Sequence, residues 1–420
     1  MCGIGGAWGS NSAVLAKRMV PWLMHRGQEG VGYAYYAGGS ISIGEPPDGS
    51  EGALVHTRYS TSGPYGQQLQ PVLARHRDLE IALVFNGTIV NYKRLGVDSP
   101  RFDGDALARA LAREIWERGL EQGVRAVYGK IVGAASILAL TPWGLLAVRD
   151  PRGIRPLSYR LLEDGVVYAS EDVALEGGEE VPPGLAVVHG RRNASWLVPP
   201  GENRLCALEY VYFAHPASTL GGRYVYAVRR ALGEALAAAE TEEIDAVAFV
   251  PETARIAASA YAERLGVPLV EAVVKNRFVG RVFISPPSAR VAEDVFRVVK
   301  ELVEGKKVAV VDDSLIRGTN IRAVVRRLRE AGALRVHVRI ASPPVRWPCF
   351  FGMDFYSRRE LIAHGKSEEE VAKAIGADTL RYVPVDVFRN IVGPASCLGC
   401  FTGNYPVEVD VGWAEREVAR

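Results

Sequence analysis

Hydrophobic positions along the chain follow two rhythms. Up to about residue 204, short apolar runs alternate with glycine-rich breaks, and Ile81-Ala82-Leu83-Val84-Phe85 reads as a buried strand. Asn86-Gly87, directly after it, predicts a turn. Over 105–119, Leu107, Leu111, Ile115 and Trp116 fall on one side of a helix. Segments 131–140, 144–148 and 166–169 read as further strands, so many strands with two helical stretches predict an α+β unit, helices packed on sheets. Beyond a Pro-, Gly- and Asn-bearing stretch at 198–203 the rhythm changes. Helices are expected over 225–239, 254–265, 321–330 and the later part of 288–304, and strands over 246–250, 267–270, 308–311 and 336–340. That alternation predicts an α/β unit with a parallel sheet and ligands at the carboxyl ends of its strands. The tail from about residue 341 is expected to hold two short helices. The divisions fall at 1–203, 204–345 and 346–420.

Composition adds exclusions. The 420 residues leave room for two or three domains, and 50 basic against 48 acidic residues give a net charge of only +2. No single-sign field points to nucleic acid or an anionic membrane, so anion binding must come from local geometry. The apolar stretch 131–148 is long enough to raise a membrane span, but Thr141-Pro142-Trp143-Gly144 inside it favours a hairpin of two buried strands. The first residues lack a basic end followed by an apolar core, and a soluble, cytoplasmic protein is expected.

The most informative stretch is Asp312-Asp313-Ser314-Leu315-Ile316-Arg317-Gly318-Thr319. An apolar strand delivers two carboxylates to its end, and a short loop with glycine and hydroxyls opens a helix. Backbone amides at such a start suit a phosphate, and paired acids suit sugar hydroxyls or hydrated Mg²⁺. It is not a Walker loop, because Gly-x4-Gly-Lys-[Ser/Thr] is absent.

With Val310-Val311 before it, this stretch resembles the phosphoribosyl pyrophosphate (PRPP) signature of type I phosphoribosyltransferases. Pro251-Glu252-Thr253 resembles that family's pyrophosphate loop and Lys275-Asn276-Arg277 part of its flexible loop. The resemblance implies PRPP binding by Lys275, Arg277, Asp312, Asp313, Ser314, Arg317, Gly318 and Thr319, with Mg²⁺ near Thr253, Asp312 and Asp313. Segment 285–296 is shorter than its counterpart in the family and lacks the usual basic run.

The amino-terminal half carries a second resemblance. Cys2-Gly3-Ile4, His25-Arg26-Gly27-Gln28-Glu29-Gly30, His56-Thr57-Arg58-Tyr59-Ser60-Thr61 and Asn86-Gly87 are similar to motifs of N-terminal nucleophile (Ntn) glutaminases. Once Met1 is removed, Cys2 combines a thiol nucleophile with an α-amine whose ordinary pKa is about 7.7–8.0. The resemblance implies an oxyanion hole from Asn86 and Gly87, and a glutamine site in which Arg58 takes the carboxylate and Asp103 the ammonium. Arg26 would orient the nucleophile's surroundings, with His25 and His56 structural. Asp103 stands in Phe102-Asp103-Gly104-Asp105 where the family has Ser/Thr-Asp-Ser/Thr-Glu.

Together the halves resemble glutamine PRPP amidotransferases over nearly the whole chain. That family's reaction gives 5-phosphoribosylamine, glutamate and pyrophosphate, and the family suggests a homotetramer inhibited by purine nucleotides.

Four cysteines remain: Cys206, Cys349, Cys397 and Cys400. Cys-x2-Cys at 397–400 alone suits zinc, iron–sulfur or redox chemistry. One branch of the resembled family holds a [4Fe–4S] cluster through cysteines in these four contexts, with zinc as the alternative by ligand count. Glucosamine-6-phosphate synthase shares the glutaminase type, but the 312–319 loop argues against it. A non-catalytic PRPP-binding regulator or scaffold is the remaining alternative, and it would not need Cys2, Arg58, Asn86 and Gly87 together.

Overall fold

Alternating apolar positions in the first half build two antiparallel sheets laid face to face. A computed structural model describes residues 1–59, 70–198, 202–276 and 295–418. The chain runs β1 (Gly3–Gly9), α1 (Ser12–Leu23), β2 (Val31–Ala37), β3 (Ser40–Ile43), β4 (Gly52–Thr57), β5 (Val72–His76), β6 (Leu79–Ile89), α2 (Asp103–Arg118) and α3 (Leu120–Tyr128). There follow β7 (Gly133–Thr141), β8 (Gly144–Val148), β9 (Ser158–Leu162), β10 (Gly165–Ala169), β11 (Glu179–Glu180), β12 (Leu185–His189) and β13 (Ala194–Leu197). The sheet orders are β11-β9-β10-β1-β4-β2-β3 and β13-β12-β8-β7-β6-β5. Ile4 and Leu54 of one sheet pack on Val84 and Leu138 of the other. Met19 and Leu23 of α1 cover the first sheet's outer face, and Leu107, Leu111 and Val124 of α2 and α3 cover the second's. Segment 131–148 is the expected hairpin, β7 and β8 paired antiparallel.

Asn86-Gly87 is not a turn. It lies inside β6, with Asn86 opposite Ser136 and Gly87 opposite Ala135. Gly87 has φ +151° and approaches β7 so closely that a Cβ would stand 1.9 Å from the Ala134 carbonyl oxygen. The glycine serves strand approach, not chain reversal.

The second half begins with a π-helix, Glu209–Phe213, and a short hairpin, β14 (Thr219–Leu220) and β15 (Arg223–Tyr224). Then come α4 (Val225–Ala238), β16 (Ala246–Phe249), α5 (Arg255–Leu265), β17 (Val273–Lys275), β18 (Phe296–Val298), β19 (Lys307–Asp312), α6 (Thr319–Glu330) and β20 (Arg335–Ile340). The tail supplies α7 (Glu368–Ile375), β21 (Thr379–Tyr382), α8 (Val385–Val392), α9 (Gly399–Thr402) and α10 (Val411–Val418). β16, β19, β20 and β21 form the parallel sheet, in the order β16-β19-β20-β21. Ala309 and Val311 pack with α4 and α5, whereas Val308 and Val310 pack with α6, so β19 is buried on both faces.

Three further expectations change. The later part of 288–304 is not helical among the described residues: Phe296–Val298 pairs antiparallel with Val273–Lys275, and a 3₁₀ turn follows at Lys300–Leu302. Segment 267–270 makes only an isolated bridge, Leu269 to Val247. The tail is richer than two helices, and its β21 completes the parallel sheet.

Candidate functional site

Cys2 sits at the head of β1, buried, in an apolar cluster that also holds Met1, Tyr59, Leu205 and Phe213 and so crosses between the two halves. Its thiol donates to the Tyr59 carbonyl oxygen at 3.5 Å. Burial pushes the thiol's pKa up, while the amino terminus, the Tyr59 hydrogen bond and Arg58 pull it down and Asp103 pushes up. Arg58 and Asp103 are therefore both within electrostatic reach of the sulfur. The same burial brings the Met1 amine down to about 5.

Each partner is positioned by an element. Arg58 follows β4, is 3% exposed, and faces Glu29 at 3.9 Å. Asp103 opens α2, where its carboxylate accepts from the Gly104 amide at 3.0 Å and the Ile89 amide at 3.3 Å. Asn86 is fully buried in β6, and neither its Oδ1 nor its Nδ2 has a hydrogen-bond partner among the described residues. A buried amide left idle in this way is costly unless a ligand or water meets it.

Arg26 donates from Nε to the Cys2 carbonyl oxygen at 3.3 Å. Its other nitrogens reach Glu171 and both oxygens of Glu209, the latter at 2.9 and 3.0 Å. Glu171 also accepts from Ser218 and from the His215 amide and bonds His25, and Arg26 foremost holds its carboxyl far below the ordinary range despite burial. His56 is buried and neutral, its ring held down to about 3 by burial and then by Arg58. His25 thus belongs to the Arg26–Glu171 network, and His56 lies buried in β4.

A cavity of about 500 Å³ opens at the carboxyl ends of β16 and β19. It collects Glu252, Thr253, Lys275, Asp312, Asp313, Ser314, Arg317, Gly318 and Thr319. Gly318 takes a left-handed conformation as the N-cap of α6, turning the loop into the helix. Burial first, then Asp313, raises the Asp312 carboxyl well above its ordinary value, a conflict that a cation or ribose hydroxyls would relieve. Arg317 lines the cavity but is held by Glu360 and by the Asp354 carbonyl oxygen at 2.6 Å. Arg277 and segment 277–294 lie outside the described residues.

The cavity wall also contains residues that the phosphoribosyl motifs did not announce. Gln28 and Tyr59 come from the first half, Tyr212 and Phe213 from the π-helix, and Met353, Asp354 and Phe355 from the tail. Gln28 and Tyr59 lie in segments read for glutamine chemistry. The tail residues carry no pattern of their own.

Cys206, Cys349, Cys397 and Cys400 are all buried, free thiols from distant stretches. Cys206 and Cys397 pair in a parallel bridge, the Cys349 amide donates to the Phe355 carbonyl oxygen, and the Arg346 and Trp347 amides donate to that of Cys400. Each of the four lies within electrostatic reach of the other three, and burial raises the thiols of Cys206, Cys397 and Cys400. The Phe351 amide donates to the Cys349 sulfur at 3.4 Å, and backbone amides also reach the sulfurs of Cys206 and Cys397. Among the described residues no three His, Cys, Asp or Glu side chains are arranged to hold a single metal ion. Four thiols, N–H donors at sulfur and a cationic neighbour, Arg155, are the kind of donor set that a polynuclear centre would need.

This fold and site define a glutamine amidotransferase unit joined to a phosphoribosyltransferase unit. A glutamine amidotransferase domain family matches residues 1–188, and a phosphoribosyl transferase domain family matches 222–342. The chain is 37% identical to the amidophosphoribosyltransferase of Pyrococcus horikoshii over 96% of each chain, and 36% identical to that of Bacillus subtilis over 97% of this chain and 94% of that one. The chain belongs to the amidophosphoribosyltransferase family. A solved B. subtilis glutamine PRPP amidotransferase, complexed with ADP and GMP, superposes with a TM-score of 0.85 at 33% identity, covering 97% of this chain and 98% of that one. A structure described as the allosteric regulatory enzyme of purine biosynthesis gives 0.87 at 34%, covering 100% and 99%. No helix among the described residues is long and apolar enough to cross a membrane.

Proposed function

We propose that this chain converts PRPP, glutamine and water to 5-phosphoribosylamine, glutamate and pyrophosphate, the entry step of purine biosynthesis. One observation carries the reading: the cavity that gathers the 312–319 loop is also lined by Gln28 and Tyr59, and the Tyr59 carbonyl accepts the Cys2 thiol's hydrogen bond. A nitrogen released at Cys2 is thus one residue away from the phosphoribosyl pocket.

In the glutamine half, Cys2 is the nucleophile and its own amine, freed by loss of Met1, the proton shuttle. The idle Asn86 amide and the Gly87 N–H receive the developing oxyanion, Arg58 clamps the carboxylate, Asp103 takes the ammonium, and Arg26 steadies the Cys2 backbone. In the phosphoribosyl half, Ser314, Gly318, Thr319 and the start of α6 cradle the 5′-phosphate while Asp312 and Asp313 hold the ribose hydroxyls. Lys275 at the end of β17 serves the pyrophosphate, and the family resemblance gives Arg277 the same role. Thr253, Asp312 and Asp313 would hold Mg²⁺, which would supply charge neutralisation at that leaving group.

The divisions 1–203, 204–345 and 346–420, a cytoplasmic location, a homotetramer and inhibition by purine nucleotides complete the reading. So does a [4Fe–4S] cluster on the four remaining cysteines, with zinc as the alternative. Cys2→Ala tests the core of it: glutamine-dependent turnover is abolished and turnover with added ammonia is spared. Intact glutamine use in that variant would refute the mechanism. An intact mass lacking Met1 is expected in active protein, and an iron and sulfide assay on anaerobically purified protein separates cluster from zinc.

A further inference from the structure

Arg155 belongs to neither substrate site, yet its guanidinium is fully buried. Nη1 donates to Glu209 Oε1 at 3.3 Å, whereas Nε and Nη2 have no hydrogen-bond partner among the described residues. Idle donors on a buried cation are expensive unless something anionic faces them. The anionic candidates beside it are sulfurs. The Cys206 amide donates to the carbonyl oxygen of Ile154, one residue before Arg155, and Arg155 lies within electrostatic reach of Cys206 and Cys349.

Two routes lead from Arg155 to the glutamine site. Glu209 Oε1 accepts from Arg155 and also from Arg26 at 2.9 Å, and Arg26 in turn donates to the Cys2 carbonyl oxygen. The loop after Cys349 is the second. Gly352, with φ +125°, packs so that a Cβ there would lie 3.4 Å from Arg155 Nε and 3.4 Å from the Cα of Gly87.

We infer that Arg155 is a positioning residue that couples the four-cysteine site to the glutaminase: its buried guanidinium, with two idle nitrogens, stands within reach of the charge held by the sulfurs, and its bond to Glu209 links that charge through Arg26 to the backbone of Cys2. The inference rests on the cluster reading above. With the cluster in place Arg155 is shared between thiolate and Glu209. Without it, Arg155 has Glu209 as its one side-chain acceptor among the described residues, and the charge that Glu209 shares with Arg26 changes.

The test compares anaerobically purified wild type, Arg155→Gln and Arg155→Lys. It measures iron and sulfide per chain, the rate of iron release to a chelator, and turnover with glutamine against turnover with ammonia. Arg155→Gln is expected to release iron about tenfold faster and to lose about tenfold in glutamine-dependent kcat, with ammonia-dependent kcat unchanged. Arg155→Lys keeps the charge but cannot span both partners, so iron lifetime is kept while glutamine-dependent kcat falls. Wild-type iron release in Arg155→Gln, or parallel loss of both turnovers, overturns the inference. If Arg155→Gln does not fold, Arg155→Lys decides, and wild-type values for both readouts overturn it. Wild-type protein free of iron and sulfide overturns the cluster reading and this role together, and is read before any variant is made.

Discussion

Asn86 stands opposite Ser136 in the β6–β7 pair, with its amide aimed at no partner among the described residues. Stability and activity are opposed at this position. Asn86→Leu, close in size and without polar atoms, is expected to hold or raise the melting temperature, since an unpaired buried group costs about 1–3 kcal/mol. Its glutamine-dependent kcat should fall about 10²–10³-fold, the usual loss for one oxyanion donor. Thermal unfolding and steady-state kinetics on one sample check both. A lower melting temperature with intact glutamine turnover would show Asn86 to be a structural amide.

Arg26 is the hub of a fully buried ion network with Glu171 and Glu209. Removing one partner of such a network strands the others. Arg26→Met should lower unfolding stability by about 3–5 kcal/mol, measured by denaturant titration. A loss under about 1 kcal/mol, the range of exposed pairs, would mean that the two carboxylates find other partners.

The two acids at the end of β19 work against each other in the ligand-free protein. Burial and Asp313 both raise the Asp312 carboxyl, so at neutral pH its ionised form is destabilising. Asp312→Asn should therefore raise the melting temperature of the free protein and abolish the additional rise given by PRPP with Mg²⁺. A thermal shift assay reads both. Retained stabilisation by PRPP would remove Asp312 from the pocket's working set.

Acid sensitivity has an identifiable contributor in His56. Its folded pKa lies near 3, below the ordinary 6.5, so the unfolded chain binds the proton first. The sign follows: the contribution is complete above pH 6.5 and is lost as pH falls from 6.5 towards 3, by up to about 1.4 kcal/mol per pH unit. His56→Gln should flatten that part of the stability–pH curve. An unchanged slope between pH 6 and 4 would assign the effect to other groups.

Much of this was legible in the sequence because each local signal matched its surroundings. The apolar run before Asp312 became β19, and the i, i+3, i+4, i+7 pattern from Ile321 became α6. Failures arose where tertiary context outweighed a local signal. Asn86-Gly87 has turn chemistry, but close approach to Ala134 keeps it in a strand. Trp116 fits the apolar face of α2 by spacing, yet it is 41% exposed, with its indole N–H donating to Asp78. Met353, Asp354 and Phe355 reach the cavity only through the fold of the tail, and Arg155 looks like any loop arginine until its buried neighbours are known.

The π-helix Glu209–Phe213 has a consequence for how such a chain can be recombined. Within eight residues, Cys206 joins the sulfur site, Glu209 binds Arg26 and Arg155, and Phe213 walls the phosphoribosyl cavity. Its wide turn closes through the Ala214 amide on the Glu209 carbonyl oxygen at 2.9 Å. Deleting one residue there would rotate everything beyond it by about 100° relative to everything before, because each helical residue advances that far. The two halves are therefore not interchangeable modules. A chimera that exchanges the glutaminase of one relative for another must carry this segment, and the tail loop facing Arg155, as a single inheritance.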